Sequence, residues 1–230
     1  MKDDDYVIAQ EQLFAELEAG GIATTVPART DYVGKAVGLS ILAFVRTDIA
    51  AAIDENVIRA LRAADASHHF YAPADFHITV KNIRCAQEAP TFTFQDVARV
   101  RKALTEAIPH VSPITFNLNG LVRFPRSVAL RAFATSSFVA VVKMLDDLLR
   151  ACGMTDDKVY QSRTVFCGNV TLCRFTSAPN CALLDCVANL RDLYLGALCI
   201  TELHLVECDE VCSESSRIVH AALRLSGSCA

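Results

Sequence analysis

From Phe76 onward this 230-residue chain runs twice through the same order of predicted elements. In the first pass FHITVKNI (76–83) reads as a strand and TFQDVARVRKALTEAI (93–108) as a helix. ITFNLNGLVRF (114–124) and SVALRAF (127–133) follow as two strands turned at Pro125. After a predicted helix over 137–151 the second pass begins. VFCGNVTLCRF (165–175) reads as a strand, CALLDCVANLRDLYL (181–195) as a helix, and CITELHLVEC (199–208) and SRIVHAALRL (216–225) as two strands. Strands joined by short turns pair antiparallel, and each helix must bury its apolar stripe on a sheet face. The expected fold is therefore α+β, two-lobed and pseudo-symmetric, with antiparallel sheets lining a central cleft and helices outside. Residues 37–225 form this domain in one piece. Residues 1–36 read as an N-terminal extension, a helix over 6–19 stopped at Gly20-Gly21 and then a loop, and residues 226–230 as a tail.

Composition narrows the function classes. The chain is 52% hydrophobic, enough for a substantial core. Its 22 basic and 26 acidic residues leave a net charge of −4, so total charge advertises no polyanion-binding surface and any nucleic-acid contact needs a local basic cluster. The longest apolar run, 127–145, is broken by Arg131, Ser136, Ser137 and Lys143, which argues against a membrane span. MKDDDYVIAQ lacks the basic-then-apolar pattern of a signal peptide, and a cytoplasmic location is expected. In that compartment the ten cysteines are expected to be reduced, mostly core residues. His204-x3-Cys208-x3-Cys212 is the one metal-like spacing, but it begins on a strand-like alternation that does not converge three ligands, so no metal is expected.

The two leading strands carry the chemistry. His77 and Asn169 stand 92 residues apart, each followed two positions later by threonine, Thr79 and Thr171. Side chains alternate along a strand, so His77, Thr79 and Lys81 are expected on one face and Ile78, Val80 and Asn82 on the other. In the second copy Asn169, Thr171 and Cys173 share the corresponding face, which leaves Arg174 on the opposite one. A polar trio aimed away from the core suits a ligand cleft. A pair of imidazoles placed so, one taking a proton and the other giving one, would cleave a phosphodiester without a metal, with the hydroxyls holding the phosphate.

These residues resemble the two-histidine (2H) phosphoesterases, a superfamily that includes the RNA 2′,3′-cyclic phosphodiesterases, or 2′-5′ RNA ligase-like proteins. FYAPADFHITVKNI resembles the first motif and its lead-in, and GLVRFPRSVALRAF the middle hairpin with its aromatic-Pro turn, here Phe124-Pro125. VVKMLDDLLRACG is similar to the helix and glycine before the second motif, NVTLCRF to that motif, and ITELHLVEC to the strand after it. The resemblance implies that His77 is the first catalytic histidine and that Thr79 and Thr171 hold the phosphate. Asn169 stands where the second histidine belongs. An amide can orient a phosphate oxygen but exchanges no proton near neutrality, and losing such a group removes about 10²–10⁴ in rate.

Two functions follow. One is a cofactor-free phosphodiesterase acting on a cyclic phosphate or RNA end, with His77 as the surviving acid or base. The other is a non-catalytic module that binds a nucleotide or RNA terminus. Lys81 is a candidate phosphate contact and Tyr71 a candidate base-stacking residue. None of His68, His69, His110, His204 and His220 is expected to replace the missing imidazole. Arg123 and Arg126, beside the hairpin turn, read equally as RNA-backbone contacts or solvated surface.

Overall fold

The computed structural model describes residues 2–20, 36–158 and 160–227. Most of the predicted 24–36 loop and the end of the predicted tail lie outside the described residues. Helix α1 (Asp3–Ala19) precedes β1 (Val37–Phe44), and α2 (Thr47–Ile53) continues through one π-helical turn into α3 (Arg59–Ala64). Then come β2 (His69–Phe70), β3 (His77–Gln87), α4 (Phe94–Ala107), β4 (Ile114–Phe124), β5 (Ser127–Ala134) and α5 (Ser137–Ala151). The second pass supplies β6 (Gly168–Arg174), α6 (Cys181–Asn189), β7 (Tyr194–Ile200), β8 (Glu202–Cys208) and β9 (Ile218–Arg224).

The α+β class and the antiparallel pairing are as expected, but the strands do not divide into two sequential sheets. One sheet runs β7-β4-β5-β6-β3-β1-β8-β9, with β2 added beside β6. The hairpin β4–β5 follows motif strand β3 in the chain yet lies beside the other motif strand, β6. The hairpin β8–β9 follows β6 yet lies beside β1 and β3. Each half of the sheet is therefore completed by strands from the other half of the sequence. The motif strands meet in the middle through one ladder pair, Ile78 opposite Val170. The stretch 199–208, expected as one strand, breaks at Thr201, and the predicted helix 181–195 stops at Asn189, which frees Tyr194 and Leu195 to open β7.

Helices α2 to α6 cover one sheet face, where Ile41, Ile78, Leu130, Val170, Leu172 and Leu205 join Val100, Leu104, Leu145 and Leu183 in the main core. Helix α4 starts with a reciprocal capping box: the Thr93 hydroxyl accepts the Asp96 N–H, and the Asp96 carboxylate accepts the Thr93 N–H. The other face of β4 and β5 is not open. Tyr6, Gln10, Leu13 and Phe14 form the buried stripe of α1, and Phe14 packs with Val122, Ala129 and Phe133 in a second cluster. Every residue of β5 is consequently buried, with Val128, Leu130 and Ala132 toward the main core and Ala129, Arg131 and Phe133 toward α1. Arg131 is only 4% exposed, and it donates to the Asn119 and Arg191 carbonyls and pairs with Glu11 of α1 at 2.7 Å. The first 20 residues thus cover the core.

Gly120 sits at a register shift of β4, with φ of +73°. Its N–H donates to the Leu193 carbonyl at 2.8 Å, and a Cβ there would land on the Arg191 carbonyl oxygen and the Arg131 guanidinium. Gly153 also has positive φ, +68°, but open space around it. Substituting alanine at Gly120 should therefore destabilise the protein by more than about 2 kcal/mol, because overpacking adds to the dihedral strain that alone would act at Gly153. Urea unfolding of the two alanine variants checks this, and equal losses would contradict it.

Candidate functional site

The Ile78–Val170 pair fixes the geometry of the centre. Stepping one residue either way along antiparallel strands sets His77 across from Thr171 and Thr79 across from Asn169, all four on one face. Beyond this single bridge the two strands part, and a cavity of about 450 Å³ occupies the space, lined by His77, Thr79, Asn169 and Thr171. All four residues read from the repeat come together there.

The next residues depart from simple alternation. Along β1, Leu42 faces Thr79 and Ser40 faces Asn82, so β3 carries an extra residue, a bulge at Val80–Lys81. Along β5, Ala129 faces Thr171 and Ser127 faces Arg174, so β6 carries the same bulge at Leu172–Cys173. The bulge is duplicated at the same place in both copies. It turns Asn82 and Arg174 onto the cleft face and sends Lys81 and Cys173 the other way. The expectation that Lys81 follows His77 by simple alternation is thereby corrected, although Lys81 does line the cavity. Its ammonium, 5% exposed, sits 2.6 Å from Asp146 and 2.7 Å from Asp156, and over the Tyr160 ring. Two carboxylates already neutralise this charge, which holds α5 and the following segment against β3.

Arg174, expected on the outer surface, is the residue that strand parity missed. Its Nε donates to the Tyr71 hydroxyl and an Nη to the Glu210 carbonyl, both at 2.8 Å, and it lines the cavity. Tyr71 is 2% exposed and also lines the cavity, but it stands 6.5 Å from the His77 ring as a buried wall rather than an open stacking platform. Burial pushes its hydroxyl up to about 12. Phe76 is a core residue. Arg123 donates to the Glu18 carbonyl at the C-terminal end of α1, where a cation complements the helix dipole.

His77 is tied to its own chain. Nδ1 lies 2.7 Å from the Asp75 carbonyl, and since a carbonyl only accepts, Nδ1 carries the proton and Nε2 of the neutral ring is left as the acceptor. Burial lowers its pKa to about 4, the bond to Asp75 opposes that shift, and the Arg174 and Arg217 charges add to it. Asn169 donates to the Thr171 hydroxyl at 3.4 Å. The other five histidines lie outside the cavity lining: His68 approaches Asp65, His204 pairs with Glu202, and His220 pairs with Glu207.

Among the described residues no three His, Cys, Asp or Glu side chains converge as metal ligands. Cys208 and Cys212 are buried beside Leu42 and Val206, while the His204 ring packs on Phe44 at 5.0 Å. Cys199 is disulfide-bonded, contrary to the expectation of reduced thiols throughout, and the other eight described cysteines are free. Among the described residues no helix is long and apolar enough to cross a membrane.

No family model matches the sequence, and no curated protein matches it either. Solved structures do. The chain is similar to the protein TT0787 of Thermus thermophilus, at 14% identity and TM-score 0.61, over 84% of this chain and all of that one. It is similar to a structure described as a phosphoesterase, at 12% identity and TM-score 0.58, over 84% and 99% of the two chains. Escherichia coli LigT in complex with 3′-AMP matches at 13% identity and TM-score 0.58 over the same shares. The fold is LigT-like. Complexes of that LigT with ATP and with NADP+ match similarly, with TM-scores of 0.56 and 0.55.

The lowered His77 pKa has a defined sign. The native state holds this imidazole neutral, so the unfolded chain binds more protons between about pH 6.5 and 4. The contribution is full above pH 6.5 and declines as pH falls toward 4, by about 2–3 kcal/mol. Urea unfolding across this range should show a shallower acid loss in His77→Gln than in the parent chain. A His77 pKa near 6.5 by NMR would refute the assignment.

Proposed function

We propose that this chain is a nucleotide-binding protein of phosphoesterase build that works without metal on a phosphodiester or cyclic phosphate of a nucleotide or RNA end, with slow turnover. The observation that carries the reading is the face formed across the Ile78–Val170 bridge. There a neutral imidazole, two hydroxyls and an amide line one cavity, with the Arg174 guanidinium beside them. The solved LigT complexes with 3′-AMP, ATP and NADP+ support a ligand of this class.

In the proposed reaction Nε2 of His77 takes a proton from an attacking water. The water oxygen bonds to phosphorus, and Thr79, Thr171, Asn169 and Arg174 hold the phosphoryl oxygens. One ring P–O bond of the 2′,3′-cyclic phosphate then breaks. Its oxygen leaves as an alkoxide that must collect a proton from solvent, because Asn169 has none to give. That unassisted departure sets the rate.

The 3.4 Å contact of Asn169 with Thr171 favours a second reading, a site that grips phosphate and turns nothing over. Hydrolysis of 2′,3′-cyclic AMP separates the two. Slow hydrolysis that is insensitive to chelator, holds steady from pH 8 to pH 5 and disappears in His77→Ala supports the enzyme. Asn169→His should raise the rate at least about tenfold by restoring a proton donor. Tight 3′-AMP binding with no hydrolysis in either chain would establish the binding module. Hydrolysis indifferent to His77 would overturn the proposed mechanism.

A further inference from the structure

The cavity is lined by more than His77, Thr79, Asn169, Thr171 and Arg174. Leu13 and Leu17 from α1 and Phe138 and Val142 from α5 give it apolar wall, and the segment before β6 adds Val165 and Phe166 together with the polar Gln161 and Ser162. The cavity volume, about 450 Å³, lies low in the range of roughly 300–1,000 Å³ usual for small-molecule sites.

Helix α1 closes the side of this cavity next to β5, and it is firmly held. The Tyr6 hydroxyl donates to the Phe166 carbonyl at 2.8 Å and accepts the Phe166 N–H at 2.9 Å, joining the two apolar walls. The Gln10 amide donates to the Ala134 carbonyl at 2.8 Å and accepts the Ala134 N–H at 2.9 Å. Glu11 pairs with Arg131, and Glu18 with Arg191 at 2.9 Å. The same helix is acidic along its length. Asp3, Asp4, Asp5, Glu11, Glu16 and Glu18 lie on it, with no Lys or Arg from 3 to 19. A nucleic-acid strand continuing over the β4–β5 half of the sheet would need cations for its phosphates and a free surface to lie on. It would meet a helix that occupies the surface and repels the charge.

Resting on the phosphate-site reading above, we infer that α1 makes this site selective for a single nucleotide, phosphate at the threonines and base against the α1 wall, and excludes polynucleotide. The helix is a specificity determinant built from the N-terminal 20 residues.

The test is titration at 150 mM salt of the full chain with 3′-AMP and with hexaadenylate carrying a 3′-phosphate. Two α1 variants, each checked for folding by thermal melting, are measured beside it. Tyr6→Phe with Gln10→Ala loosens the helix, and Asp4→Asn, Asp5→Asn and Glu16→Gln together remove exposed charge without touching the packed face. The full chain should bind 3′-AMP at least tenfold tighter than the hexamer. At least one folded variant should gain threefold or more for the hexamer, and the charge variant, whose packed face is untouched, should keep 3′-AMP affinity within twofold of the parent. Equal affinity of the parent for both ligands overturns the inference while leaving the phosphate site standing, as does a hexamer affinity unmoved in every folded variant. Failure to bind either ligand overturns the phosphate-site reading, and the inference with it.

Discussion

The site depends on one ladder pair. Ile78 and Val170 are both fully buried and are the only residues through which the two motif strands pair. Were the strands paired along their length, His77 and Asn169 would face a closed sheet. Because they touch once and part, the polar side chains flanking the contact look into a space bounded by α1, α5 and the segment before β6. Sheet continuity and cavity therefore have a common origin. The pair is also the natural centre of the internal pseudo-symmetry, since histidine-x-threonine on one strand answers asparagine-x-threonine on the other.

Symmetry extends to a defect. Both motif strands bulge directly after the threonine, and in both the bulge exchanges which later residue reaches the cleft. On β3 it delivers the neutral Asn82, and on β6 the cationic Arg174. The asparagine at 169 and the guanidinium at 174 lie on the same strand. This half of the cavity lining consequently carries a guanidinium, a hydroxyl and an amide, and no imidazole.

These points mark what was legible in the sequence. Element types were, because helix and strand periods are written in apolar spacing, and so were the four residues nearest the bridge, because alternation holds over three positions. Lys81 and Arg174 were misplaced because nothing in VKN or LCR announces a bulge: neither stretch contains glycine or proline. The exchange of hairpins between halves was hidden for a different reason. A hairpin fixes which strands are neighbours in the chain, but which motif strand it joins is decided by tertiary packing. The role of α1 went unread because its partners, β4 and β5, lie more than 100 residues away, although its stripe at positions 6, 10, 13 and 14 was visible.

The hairpin exchange constrains how this molecule comes into being. Gly38 must find Cys208, and Gln10 must find Ala134, before either half of the sheet is covered. Neither the N-terminal nor the C-terminal portion contains a complete set of neighbours for its own motif strand, so the two passes of the repeat mature together or not at all. Contacts of such long sequence separation place assembly among the slower topologies. During synthesis the strand bearing His77 and Thr79 must wait with one edge exposed until Val170 on β6 has left the ribosome.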